Sequence, residues 1–108
     1  MATAKELMLA ADQRLQSQKA TASAIGATFK LVLSGEGGGT FLLNLKDDVG
    51  VKEADGAADC TLKLSATDYV DMMEGRANPQ AMFFQGKLQI EGDIALALKL
   101  QSITEILR

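Results

Sequence analysis

TFKLVLSGEGGGTFLLNL, residues 28–45, is the stretch on which the fold turns. Phe29, Leu31 and Leu33 alternate with Thr28, Lys30 and Val32, and Phe41, Leu43 and Leu45 resume the same period of two after Gly35-Glu36-Gly37-Gly38-Gly39. Alternation on both sides of a glycine-rich break predicts two antiparallel strands, each with one apolar face, joined by a turn. The glycines invite comparison with a phosphate-cradling loop. No Gly-Lys-Ser/Thr follows them and a strand comes next, so the hairpin is the better reading.

Upstream, Thr3 and Glu6 form a capping box, and Ala4, Leu7, Met8, Ala11 and Leu15 recur at helical spacing, which predicts an amphipathic helix over 4–18. Residues 17–26 are small and polar, a loop or a frayed helix end. Downstream, Lys46-Asp47-Asp48 turns the chain into a short third strand over 49–53, which Ala54-Asp55-Gly56 ends. A fourth strand over 59–64 puts Cys60, Leu62 and Leu64 on one face. Ser65 or Thr67 then caps a helix carrying Tyr69, Val70, Met72 and Met73 that stops at Gly75. Asn78-Pro79 starts another helical turn, with Met82, Phe83 and Phe84, before Gln85-Gly86 breaks it. Lys87 to Glu91 reads as a fifth strand with Leu88 and Ile90 facing in, and Gly92-Asp93 caps a last helix running to about Leu107. The order α-β-β-β-β-α-α-β-α predicts an α+β fold: a five-stranded, mainly antiparallel sheet covered on one face by helices. The connections between strands one to four are short enough for hairpins, and a helical crossover separates the fourth and fifth. Residues 1–108 read as one domain, without repeat, low-complexity tract or linker.

Composition narrows the function. The 108 residues include 47% hydrophobic and 23% charged, enough for one core. A formal charge of −3 and a pI near 4.8 oppose a nucleic-acid binder, which needs a basic face, and constant attachment to anionic membranes. No apolar run approaches the ~18–20 residues of a membrane span. The first residues do not read as a signal peptide, and a lone Cys60 fits a reducing compartment, so the expected location is cytoplasmic. There is no histidine, so the commonest general base and metal ligand is missing, and no cofactor or metal is expected. An enzyme would depend on Cys60 or on a carboxylate pair such as Asp47-Asp48; the first falls on a predicted core face and the second in a turn.

Two features carry more apolar surface than a core requires. Leu96, Leu100, Ile103 and Leu107 form one stripe of the last helix, and Ile94, Ala97 and Leu98 add a second apolar face to its first half. A helix apolar on two sides is buried twice or faces something apolar besides the sheet. The other feature is Met72-Met73 followed by Met82-Phe83-Phe84; methionine adapts to irregular gaps and to guests of variable shape. Each residue alone reads as core. Together they are also compatible with the wall of an internal apolar cavity.

The chain from Cys60 onward carries a series of ordered motifs: Ala58-Asp59-Cys60-Thr61, Asn78-Pro79-Gln80, Phe83-Phe84-Gln85-Gly86-Lys87-Leu88-Gln89-Ile90-Glu91-Gly92-Asp93, and Lys99-Leu100-Gln101. This series closely resembles the sterol carrier protein 2 family, most sharply over 58–103 and loosely over the whole chain. The resemblance implies a hydrophobic tunnel between sheet and helices and non-catalytic binding and transport of fatty acid, fatty acyl-CoA, phospholipid or sterol. It implies a tunnel wall including Phe83, Phe84, Leu88, Ile94 and Leu98; Met72, Met73 and Met82 are added from their chemistry. Lys87, Lys99, Arg76 or Arg108 would be the cations to meet a carboxylate or CoA phosphate at its mouth, although each alone reads more readily as a solvated charge. The partners implied are a lipid ligand, with a long-chain acyl group foremost, transient membrane contact and a lipid-metabolising enzyme. Where family members often end in a peroxisomal signal this chain has Ile106-Leu107-Arg108, so no peroxisomal targeting is expected; where many carry a tryptophan in the second strand it has Thr40-Phe41-Leu42, which weakens the expectation of sterol and leaves long-chain acyl groups as the expected cargo.

Overall fold

The computed structural model describes residues 3–107, and of residues 97, 98, 100 and 101 the backbone without the side chains. Helix α1 (Ala4–Ser17) begins where the Thr3 hydroxyl accepts the Glu6 N–H, and it buries Ala4, Met8, Ala11 and Leu15. The stretch read as loop or frayed helix contains a second short helix, α2 (Lys19–Ser23), anchored by the buried Ala22. The strands are β1 (Ala27–Ser34), β2 (Gly39–Leu45), β3 (Gly50–Glu53), β4 (Cys60–Ser65) and β5 (Gln89–Gly92). Between β4 and β5 lie α3 (Ala66–Met73) and α4 (Pro79–Phe84); after β5 come a 3₁₀ stretch (Ile94–Lys99) and α5 (Leu100–Leu107).

The five strands form one sheet in the order β3-β2-β1-β4-β5. Its inner face is in register across the three central strands: Phe29 lies between Leu43 and Cys60, and Leu31 between Phe41 and Leu62. All six are buried. Burial stabilises by about 1.5–3 kcal/mol for each large apolar side chain on this face. The β1–β2 turn depends on glycine, since a side chain at Gly38 would overlap the Leu33 carbonyl. Helix α1 covers the edge at β3, where the Asp12 carboxylate accepts the Val51 N–H at 2.9 Å and the Gln16 amide donates to the Val49 carbonyl at 2.8 Å. These bonds occupy polar groups that an open edge strand would present to other chains.

Three expectations need correction. The third and fourth strands are not a hairpin: β4 pairs with β1 in parallel, on the far side of β2 from β3. The connection passes over the sheet face opposite the helices, tied down by Lys30 to Asp55 at 3.0 Å and packed near Leu42 at Gly56. Parallel pairing has a physical cause in Asp59, whose carboxylate accepts the Thr28 N–H at 2.9 Å while its own N–H donates to the Thr28 carbonyl at 3.0 Å. The fifth strand is shifted, starting at Gln89, with Leu88 buried just before it and Ile90 half-buried. The last helix is not continuous, because its first turns, Ile94–Lys99, are 3₁₀.

Candidate lipid site

The residues expected to line a cavity come from α3, α4, the β5 approach and the C-terminal segment. Helix α3 is capped by the Ser65 hydroxyl, which accepts the Asp68 N–H at 2.9 Å, and it buries Tyr69, Val70, Met72 and Met73. The Asn78 side chain caps α4 by accepting the N–H groups of Gln80 and Ala81. Met82 turns inward from α4, and Leu88 follows it into the interior. Met72, Met73, Met82 and Leu88 thus join the same apolar cluster as the sheet face. Helix α5 packs on α1, α3 and α4, and buries Ile103 and Leu107.

The other expected lining residues stand elsewhere. Phe84 is 84% exposed, Ile94 56% and Phe83 43%, so these three face solvent. The side chain of Leu98 lies outside the described residues, as do those of Ala97 and Leu100 and the whole of Arg108. Beside the buried methionines, a shallow groove of about 280 Å³ opens between the α3–α4 connection and α5, lined by Met72, Arg76, Asn78, Thr104 and Glu105 among others. Its cation is engaged: the Arg76 guanidinium lies 2.8 Å from Asp71 and 2.7 Å from Glu74. Those two carboxylates hold its pKa above the ordinary value. Arg76 is therefore a poor choice for a lipid headgroup. Lys87 and Lys99 make no ion pair among the described residues.

The motif residues around Cys60 serve the fold. Cys60 is buried at the sheet centre, and burial pushes its thiol pKa up, so the nucleophilic thiolate is disfavoured. Gly92 has φ +94°, and a Cβ there would stand 2.6 Å from the Asp59 carbonyl. That glycine lets β5 close on β4 and delivers Asp93, whose N–H donates to the same carbonyl at 3.0 Å and whose carboxylate caps the 3₁₀ stretch at Ala95. Asp47-Asp48 stays in its turn, and among the described residues no three His, Cys, Asp or Glu gather to hold a metal. Tyr69 does more than fill its place in the α3 stripe. It is fully buried, with its hydroxyl donating to the Met8 sulfur at 3.3 Å, and burial pushes its pKa upward.

Residues 5–105 match the SCP-2 sterol transfer family. The chain belongs to that family. Among curated relatives it is 42% identical over 84 residues to sterol carrier protein 2 of Rattus norvegicus, covering 73% of this chain and 15% of that protein. It is 40% identical over 80 residues to hydroxysteroid dehydrogenase-like protein 2 of Bos taurus, covering 71% of this chain and 19% of the relative. The chain thus spans less than a fifth of either. Among solved structures, sterol carrier protein 2 of Yarrowia lipolytica in its apo form superposes with TM-score 0.83 at 27% identity, over 94% of this chain and 89% of that one. The Aedes aegypti sterol carrier protein 2 complexed with the C16 fatty acid palmitate shares the fold, with TM-score 0.79 at 20% identity over the full length of both. No helix among the described residues is long and apolar enough to cross a membrane.

Proposed function

We propose that this SCP-2 family domain binds and transfers lipid without bond chemistry, holding a long-chain acyl group in an apolar cavity beneath its C-terminal segment. Family membership over residues 5–105 is the observation that carries the reading. The buried methionines Met72, Met73 and Met82, with Leu88, are its adaptable wall, and the family resemblance adds Leu98 to it. Phe83, Phe84 and Ile94 belong to the rim. A 3₁₀ run of six residues is longer than such helices usually sustain, and strain of that kind marks hinges. The segment Ile94–Leu107 is therefore the lid.

The energy scale suits a carrier. Burying a sixteen-carbon chain removes ~14 methylenes from water at ~0.8 kcal/mol each, roughly 11 kcal/mol gross. Association costs on the order of 4–15 kcal/mol, so the surplus is small and release remains accessible. Chain length and fit, rather than one polar contact, set affinity. The unreactive setting of Cys60 and the reducing environment a lone thiol implies fit a cytoplasmic, non-catalytic role.

Denaturing extraction of the purified protein followed by lipid mass spectrometry tests this directly, with long-chain acyl species as the expected yield. Saturable uptake of a fluorescent fatty acid should be lost in Leu98→Asp while the far-ultraviolet circular dichroism is kept. A folded wild type that takes up no acyl chain or sterol sinks the carrier reading. A second reading, a module presenting acyl-CoA or sterol to a partner enzyme, draws support from the dehydrogenase-like relatives of which this chain matches only a part. Saturable binding with no transfer between vesicles would favour it.

A further inference from the structure

The run Phe83-Phe84-Gln85-Gly86-Lys87 is exposed at every position, between two buried anchors, Met82 and Leu88. It is not a loose loop. The Lys87 N–H donates to the Met82 carbonyl at 2.9 Å and the Gly86 N–H to the Phe83 carbonyl at 3.1 Å, with Gly86 at φ +76°. That pair of bonds around a left-handed glycine is a Schellman ending of α4, and it orders the backbone that carries both rings. The rings meet edge to face, with centroids 5.8 Å apart. A hydrogen-bonded tip that leaves two phenylalanines in water calls for an occupant.

Charge and area decide which. The chain carries 14 acidic residues, yet none falls from Gly75 to Ile90. The carboxylates that bracket this stretch are paired: Glu74 with Arg76 at 2.7 Å and Glu91 with Lys63 at 2.8 Å. Lys87, at the tip, has no such partner among the described residues. An acidic protein thus presents here a carboxylate-free aromatic point with one unmatched cation. The exposed surface of the two residues is about 250 Å², from exposures of 43% and 84% and roughly 200 Å² for each phenylalanine. A stable protein interface needs ~800 Å² from each partner, so a second copy or a protein partner would be poorly held. A bilayer needs no matching surface: rings enter the headgroup–acyl boundary while a lysine stays at the phosphates.

We infer that the Phe83–Lys87 tip is a docking wedge for an anionic phospholipid bilayer, placing the rim of the lipid site against the membrane. The role as a portal rests on the carrier reading; the docking itself is measured separately. Flotation of the full chain with phosphatidylcholine vesicles containing about one-third phosphatidylserine should recover protein with the vesicles. The vesicle-bound fraction should fall roughly fivefold or more in Phe83→Ser/Phe84→Ser. Lys87→Glu should weaken flotation on the anionic vesicles and leave the weaker flotation on pure phosphatidylcholine unchanged. Phe84→Ser alone, with its ring almost wholly in water, provides the same test if the double variant does not fold. Wild type that fails to float, or variants that float as well as wild type, would overturn the inference. So would a wild-type dimer in sedimentation that the same substitutions dissolve, since a second copy would then cover the tip. Flotation that depends on the rings, in a protein that takes up no fatty acid, would uphold docking and end the carrier reading.

Discussion

The sheet face and the C-terminal approach treat the same kinds of residue in opposite ways. Phe29 on β1 is wholly buried between Leu43 and Cys60, whereas Phe84 at the end of α4 is 84% exposed. In the first region each apolar side chain meets another across a strand pair, and neighbouring glycines sit where a Cβ would collide. In the second, apolar residues remain in water and a helix gives way to 3₁₀. The sheet is built to be one thing. The C-terminal approach leaves part of its apolar surface in water.

The largest effect that tests this contrast is a phenylalanine truncation in the sheet. Phe29→Ala should lower the urea-unfolding free energy by about 3–5 kcal/mol, since nothing nearby can fill the gap. A loss under ~1 kcal/mol would mean the sheet face is looser than its register implies. Gly92→Ala probes the seam between the regions. With φ +94° and the Asp59 carbonyl in the way, it should cost roughly 2–3 kcal/mol and displace the 3₁₀ stretch, so fatty-acid uptake should fall with it. Retained stability with lost uptake would show the seam serving the site alone.

Cys60→Ser should cost about 1–3 kcal/mol by leaving a hydroxyl without a partner in the core. A thiol reagent should label wild type only at the rate of unfolding. Fast labelling of the folded protein would contradict the burial of β4. The Asp59 clasp gives a smaller, pH-bound signal. The N–H and then the hydroxyl of Thr28 hold its carboxyl below the ordinary carboxylate range. A lowered folded-state pKa contributes stability present above the unfolded pKa of about 4 and lost as pH falls through the folded value. Asp59→Asn should therefore flatten the acid limb of the stability curve and leave neutral-pH refolding intact. An unchanged acid limb would remove Asp59 from the account. The smallest effect belongs to Phe84→Ala, expected within about 0.5 kcal/mol of wild type.

Legibility in the sequence divides along the same line. Strands with strict alternation, the caps at Thr3 and Asn78, and the inner-face residues of β1, β2 and β4 were readable because local period and cap chemistry determine them, whereas Ser65 and Thr67 competed for the α3 cap until the Ser65 hydroxyl was seen to accept the Asp68 N–H. The parallel β1–β4 pairing was not, because a six-residue connection such as 54–59 looks like a hairpin loop whichever strand receives it. Its signal was present in Asp59, a carboxylate just ahead of a strand, but the partner Thr28 lies 31 residues away. For the residues expected to line a cavity, burial was legible for half of them. Met72, Met73, Met82 and Leu88 went inward as apolar residues do, but adjacent positions such as Met82, Phe83 and Phe84 cannot share one helix face. The 3₁₀ stretch escaped because its residues fit an α-helical stripe equally well.

Hydrogen exchange with and without palmitate tests the central claim most directly, because it reads both regions in one experiment. Palmitate should slow the amides of 82–88 and 94–107 and leave those of β1 and β2 at their ligand-free rates. Protection spread evenly over the sheet, or none in the C-terminal segment of a protein that has bound palmitate, would contradict it.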